Sequence, residues 1–530
     1  MKIIKRTLIA LCLSGCVLTG FAQKDTQNSM TNAVLKVYQE ELAENPQNYN
    51  VYFRRAHLYY GLNQYLRALS DVDNALKYTP DTDKDMLILE YALRSNIYQM
   101  LDRKEEALAD ITKTCELDPG SYTYLYQKAN LEYQVGNYEA AKNDYKKMQR
   151  MQNRSLESLV GLARVAVKEN NLGLANEYLD QAVAMYPAEG EAYLRRASVR
   201  SLMGNNNGAV DDLLIALSLD KNTGKPFNEI VKMGNTDYNA VITGLSNAMT
   251  KAPDSAIFYL LRAVIAQTHF HFSSAIADYN TLIDRKLYDS PTIHGGLAEC
   301  YYALCEYDKA MREINIAIGT SADNATYYVT RSKIRLAMGD DQVAMESAES
   351  ALRQTPENIS ALLQKANCAI KMGKYEMASN VYGEIIVSKP NETYAYLVRG
   401  WLLKNYLNKA GDANTFFARA ADIEVSGYEM RTLHPFALQA LGQNKEACEW
   451  TKKALETKDV DGYAHYLGAC LYAQAGEIND AFDALNTAFT LGFDDLNMLR
   501  NENTANLNVA PLRSDPRFEE MLTKYSYLFK

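Results

Sequence analysis

The sequence predicts an all-α fold, an α-α solenoid of about thirteen helical hairpins, and three observations carry that expectation. Landmark residues return at intervals close to 34, small alanines hold the same two places in each interval, and a residue tolerant of left-handed backbone recurs between them. From Tyr49 to Pro80, residues Tyr52, Phe53, Ala56, Tyr59 and Tyr60 mark one face of a first helix. Ala68, Val72, Ala75 and Leu76 mark one face of a second, and Pro80 ends the unit. Ala56 and Ala68 fall where two closely paired helices cross, so a longer side chain there would force the backbones apart. A chain of 530 residues is too long for one compact core. Stacked repeats escape that limit, because each buries its apolar face against its neighbours.

Ahead of the first unit, Val34, Leu35, Tyr38 and Leu42 are spaced as a helix over Met30 to Asn45, stopped by Pro46 and suited to cap an open end, with residues 23–29 expected to be loose. A short insertion holding Asp81, Asp83 and Asp85 precedes the second unit, which starts at Ile88 and carries Tyr91, Ser95, Tyr98, Ala107 and Ile111. Matching units begin at Tyr122, Leu156 and Gly190. The glycines Gly136, Gly204, Gly339, Gly373 and Gly476 all fall at the hairpin turn, where the first helix must end in a left-handed residue. Asn63, Asp102 and Asn170 hold the same place and tolerate that conformation better than most residues.

Residues 222–255 break the pattern, since Pro226, Gly224 and Gly234 weaken the expected first helix and only the second is expected to survive. The array resumes near Ala256 and runs through units near Pro291, Tyr328 and Leu362. A second weak region spans Thr393 to Asp461, where Gly400 replaces the small alanine and Pro435 interrupts another first helix. The last full unit holds His465, Ala469, Tyr472, Gly476, Ala481, Leu485 and Ala488. In the tail, Asp515 caps a closing helix, Pro516 takes its first position, and Phe518, Met521, Leu522 and Tyr525 form the buried stripe.

The order of these landmarks resembles the tetratricopeptide repeat over about residues 49–493. The resemblance implies a right-handed superhelix with terminal capping helices. The chain is then read as a signal peptide (1–22), a linker and capping helix (23–48), an N-terminal lobe (49–221), a degenerate repeat or hinge (222–255), a C-terminal lobe (256–493) and a capping segment (494–530). It also implies a concave groove lined by set positions of each first helix. Projected onto the first three units, these are Phe53, His57, Tyr60, Asn96, Gln99, Tyr126, Asn130 and Tyr133. Rings beside amides suit an extended peptide, although the same tyrosines could pack between repeats. Some members of the family hold a terminal carboxylate with Lys and Asn. Asn130 and Asn367 match that Asn, but Tyr126 and Leu363 stand where the Lys belongs, which argues against such a clamp. In the C-terminal lobe the projection gives Val329, Leu363 and Trp401 among Lys333, Lys371 and Lys404, a second and more charged surface.

Lys2, Lys5 and Arg6 precede an apolar run from Leu8 to Leu18 that is too short to span a bilayer, which reads as an export signal of bacterial type. Two processing sites compete. Gly20-Phe21-Ala22 offers small residues for cleavage after Ala22, the favoured site, and Leu13-Ser14-Gly15-Cys16 resembles a lipoprotein box with Cys16 lipidated. No later run is long enough to cross a membrane, so the expected address is periplasmic or secreted, or tethered by one lipid. Loss of the three leader cations takes the net charge from −9 to −12, and the helices carry no basic stripe, which disfavours nucleic acid.

Six cysteines remain after processing, at spacings that match no metal site, and are read as packed thiols, with Cys448 and Cys470 close enough in the pattern to be bridged by oxidation. His269 and His271 flank Phe270 and do not share a helical face, so they are read as a surface turn and not as metal ligands. No serine sits in a nucleophile elbow or beside a phosphate loop. No cofactor, metal or catalytic residue is expected. The reading is a non-enzymatic exported scaffold that binds a protein or peptide along its groove. The alternatives are a structural subunit of a cell-envelope complex and a periplasmic chaperone-like client binder.

Overall fold

The computed structural model describes residues 21–152, 155–219, 224–425, 427–457, 460–500 and 507–529. Cys16 lies outside them. From Tyr49 to Thr490 the described helices alternate as first and second helices of successive repeats, the first mostly 13 residues and the second mostly 14. The chain divides into two compact units, residues 1–205 and 206–530.

In the N-terminal unit a helix Phe21–Glu44 leads the array, so helix runs through residues 23–29, which the composition marked as loose. Four hairpins follow: Tyr49–Gly61 with Tyr65–Tyr78, Lys84–Met100 with Lys104–Leu117, Tyr122–Gln134 with Tyr138–Met151, and Leu156–Lys168 with Leu172–Met185. Helix Gly190–Leu202 ends the unit. The acidic insertion before Ile88 forms an extra first turn of helix, because Asp83 accepts the Met86 N–H and caps it. Ala56, Ala68 and Ala75 are fully buried at the helix crossing.

A tie that the periodicity did not announce crosses several of these hairpins. Arg55 donates to Asp71, Arg94 to Asp110 and Lys128 to Asp144, each pair sixteen residues apart and 2.5–2.7 Å long. Both arginines grip their carboxylate with two N–H groups, which fixes the angle between the helices as well as the charge. Arg262 and Asp278 repeat the pair in the C-terminal unit.

The C-terminal unit opens with helix Asn206–Leu219 and continues through eight hairpins, from Gly224–Gly234 with Tyr238–Lys251 to Gly462–Ala475 with Ile478–Thr490. Both weak first helices form. Pro226 is the third residue of Gly224–Gly234 and Pro435 the second of His434–Ala440, positions whose N–H has no partner inside the helix, so proline starts these helices instead of breaking them. Their cost appears as length, 11 and 7 residues. Where Gly400 replaces the small alanine, its missing Cβ makes room for the Phe417 ring, which stands 2.5 Å from where that Cβ would be. The closing helix Pro516–Lys524 is capped by Asp515, whose carboxylate accepts the Arg517 N–H, and it buries Phe518 and Leu522.

All eight residues expected at left-handed turns have positive φ, between 57° and 88°. Phe270, Cys305 and Leu433 also do, at 59° to 61°, and for such side chains the conformation is strained.

The C-terminal unit also closes on itself. Asp494 donates its N–H to the Phe270 carbonyl, and its carboxylate accepts the N–H groups of Phe272 and Ser273 at 2.7 and 2.9 Å. Asn497 donates to the Tyr302 carbonyl and the Tyr307 hydroxyl, and Ser273 donates to the Leu528 carbonyl. Phe270 stacks on Tyr463 at 4.2 Å and meets Phe493 at 5.7 Å. These ties join residues 190 to 255 positions apart.

Candidate peptide-binding surfaces

Every projected groove residue of the N-terminal unit lies on a first helix and keeps some exposure: His57 is exposed, and Phe53, Tyr60, Asn96, Gln99, Tyr126, Asn130 and Tyr133 are half-buried. Their polar groups are largely engaged within the unit. The Asn130 Oδ1 accepts the Tyr145 hydroxyl at 2.9 Å and the Arg164 guanidinium at 3.0 Å, and that guanidinium lies 4.1 Å over the Tyr133 ring. Gln99 reaches Asn96 at 3.5 Å, and Tyr60 packs against Tyr65. Asn367 accepts Tyr382 just as Asn130 accepts Tyr145, again fifteen residues on. Both asparagines that match a carboxylate clamp therefore anchor a buried tyrosine of their own hairpin. The fifteen-residue Asn–Tyr spacing is the sequence signal for this bond.

His269 and His271 are not a surface turn. His269 is 8% exposed, and Tyr238 packs 4.8 Å from both rings, with its hydroxyl 3.1 Å from the His271 Nδ1. Burial, reinforced by the His269 charge, pushes His271 down to about 4, and burial also lowers His269 against the pull of Asp461. At the start of the following helix, burial raises Asp494 to about 7 even though the Phe272 and Ser273 N–H groups favour its charged form. Asp495, which caps Leu496–Arg500 through the Met498 N–H, is raised to about 7 by burial, with the Lys333 ammonium opposing part of that rise. This is a packed closure. His294 is held between Glu313 and Asp289, and among the described residues no three His, Cys, Asp or Glu side chains could hold a metal ion. The six described cysteines, Cys448 and Cys470 included, are free thiols.

Two open cavities occur in the C-terminal unit. One, of about 540 Å³, lies between the last two hairpins and is walled by Cys448, His465 and Tyr472 beside Glu477, Asp480 and Asp483. The other, of about 670 Å³, is walled by Trp401, Tyr406, Phe417 and Phe436. Lys404 is its one charged lining residue, and four amides, Asn405, Gln439, Asn444 and Gln474, also line it. Trp401 lies 5.0 Å from Tyr406, which stacks on Tyr375 at 4.0 Å. Trp401 and Lys404 belong to the second surface expected from the sequence. Tyr406, Phe436 and Gln439 were missed because Gly400 and Pro435 hid the register of the weak region that carries them.

Stacked hairpins of this period define the class: the described residues form an all-α solenoid of tandem helical hairpins of tetratricopeptide-like build. Residues 126–189 match the tetratricopeptide repeat family, and the described hairpins repeat the same unit on both sides of that match. The chain is similar to a TPR repeat-containing protein of Methanocaldococcus jannaschii, 19% identical over 494 residues that cover 92% of this chain and 77% of that one. It is also similar to the human DnaJ homolog subfamily C member 3, 23% identical over 182 residues, 32% of this chain and 36% of the relative. Among solved structures, yeast Tom70 is similar with a TM-score of 0.36 and 15% identity, covering 77% of this chain and 99% of that one. Among the described residues no helix is long and apolar enough to cross a membrane.

Proposed function

We propose that the protein is a non-enzymatic scaffold that holds a protein or peptide partner along the concave face of its first helices. The observation that carries this reading is the row of half-buried rings and amides at equivalent positions of successive first helices, Phe53, Tyr60, Asn96, Tyr126 and Tyr133 among them. Rings left partly open supply large contact area at low entropic cost. Replacing Tyr126 and Tyr133 together with Ala is expected to weaken partner capture by about 1–3 kcal/mol while circular dichroism stays unchanged. Full capture by the folded double variant would remove the groove reading.

The protein is further proposed to act outside the cytoplasm. The basic, apolar and small-residue order of residues 1–22 supports this reading. Intact-mass measurement of the processed chain tests it: a start at Gln23 fits cleavage after Ala22, a diacylated Cys16 fits a lipid-anchored protein, and an unprocessed chain rejects export. A second reading, a structural subunit of an envelope complex, draws support from the closure of the C-terminal unit, which favours a rigid body over an adaptable client binder. Cross-linking that returns one stoichiometric partner favours it, and many clients favour a chaperone.

A further inference from the structure

We propose that the cavity at Trp401 is a second peptide site, one that takes an extended segment carrying a bulky apolar side chain beside an acidic residue. This rests on the reading of the chain as a peptide-binding scaffold, but it assigns a different place and a ligand chemistry. The volume of about 670 Å³ lies within the usual range of ligand sites, about 300–1,000 Å³. Its walls sort the ligand. The rings of Trp401, Tyr406 and Phe436 offer an apolar slot, and the Tyr375–Tyr406 stack, with Trp401 tilted against it, holds one side of the slot in place.

The amides act next. Gln439 donates its Nε2 to the Leu471 carbonyl, Gln474 to the Asn508 carbonyl, and Asn405 its Nδ2 to the Trp401 carbonyl. Each spends one N–H on the protein backbone, and its side-chain oxygen remains as an acceptor, the complement of the N–H groups along an extended peptide. The charge is equally one-sided. No carboxylate lines the cavity, whereas the neighbouring 540 Å³ cavity has several, and Lys404 is exposed with no ion pair among the described residues. An ammonium without a counter-charge at the rim selects an acidic neighbour and disfavours a basic one. The N-terminal groove differs on each count, because its Asn130 oxygen is already bonded and Arg164 covers Tyr133.

The chain contains two tryptophans, so replacing Trp450 with Phe makes Trp401 the sole indole reporter of its own cavity. The full chain carrying Trp450→Phe would be titrated with octapeptides blocked at both ends and built on Phe-Glu, Phe-Lys or Ala-Glu, so that no terminal carboxylate takes part. A saturable change in Trp401 emission is expected with Phe-Glu. Ala-Glu should bind about tenfold more weakly, through loss of the ring anchor, and Phe-Lys about fivefold more weakly. Lys404→Glu, an exposed change that spares the fold, should reverse the preference between Phe-Glu and Phe-Lys. Tyr126→Ala with Tyr133→Ala should leave all these titrations as they were.

Equal binding of Phe-Glu and Phe-Lys, or an unaltered preference in Lys404→Glu, overturns the assignment. So does an emission change produced by raising protein concentration alone, which would put a second copy in the cavity. If no peptide perturbs Trp401 while the Tyr126 and Tyr133 changes still weaken partner capture, this site is rejected and the scaffold reading stands.

Discussion

The two units are built from the same hairpin and held together by different rules. In the N-terminal unit the hydrogen bonds described above join residues at most 34 apart, about one repeat, as between Arg164 and Asn130. In the C-terminal unit Asp494, Asn497 and Leu528 return to the turns around Phe270 and Tyr302, 190 to 255 residues back. A linear array has stability close to a sum of repeats and neighbour interfaces, so it can open one repeat at a time. A closed array has to break its closure before the repeats behind it become independent. The left-handed Phe270 belongs to the same contrast. At Gly136, in the N-terminal unit, the equivalent turn costs little, whereas Phe270 is strained and is held by Tyr463, Phe493 and the Asp494 N–H.

The sharpest way to break this comparison is Phe493→Ala. The ring is fully buried and lies 4.8 Å from Tyr466, so its loss should destabilise the C-terminal unit by about 3–5 kcal/mol. Hydrogen exchange should rise together at residues 269–273 and 302–307, far away in sequence, and stay unchanged in the N-terminal unit. Exchange confined to the last hairpin would mean that the closure carries no coupling.

A smaller loss is expected from Asp494→Ala. The residue caps helix Phe272–Asp284 from 222 positions away, where His271, the residue preceding that helix, makes no side-chain cap of its own. Leaving those N–H groups unpaired should cost about 1–3 kcal/mol, read by urea unfolding of the C-terminal unit. The matched control is Asn171→Ala, a cap that accepts the Leu174 N–H within its own hairpin and whose loss should stay local.

Asp494→Asn sharpens the comparison through pH. The folded-state value of Asp494 is raised from 3.8 to about 7, so its contribution is most favourable below pH 3.8 and is lost as pH rises toward about 7. His271, lowered from 6.5 to about 4, works in the opposite sense and is lost as pH falls from 6.5 toward 4. Asp495 and His269 add to their respective sides. The difference between wild type and Asp494→Asn isolates one group: the variant should gain relative stability between about pH 4 and 7 and level off above. A flat difference would remove Asp494 as a titrating member of the closure.

The smallest effect belongs to the N-terminal unit. Tyr145→Phe deletes one hydroxyl bond to Asn130 and should cost about 0.5–1.5 kcal/mol, with exchange altered only in the hairpin Tyr122–Met151 and its neighbours. A loss that spread through the whole unit would show that the open array is as cooperative as the closed one.

The sequence by itself determined whatever repeats: the hairpin period, the alanine crossings at Ala56 and Ala68, and all eight left-handed turns named from it, because each depends on residues within one unit. It also held the Arg55–Asp71 and Asn130–Tyr145 spacings, which were legible at sixteen and fifteen residues and went unread. Proline was misjudged for a local reason, since Pro226 and Pro435 harm a helix only beyond its first turn. The burial of His269 and His271, the cap that Asp494 supplies to a distant helix and the Phe436 and Gln439 wall of the Trp401 cavity were decided by tertiary structure alone. Each depends on how small rotations accumulate over several repeats until separate hairpins meet, and no single repeat encodes that sum.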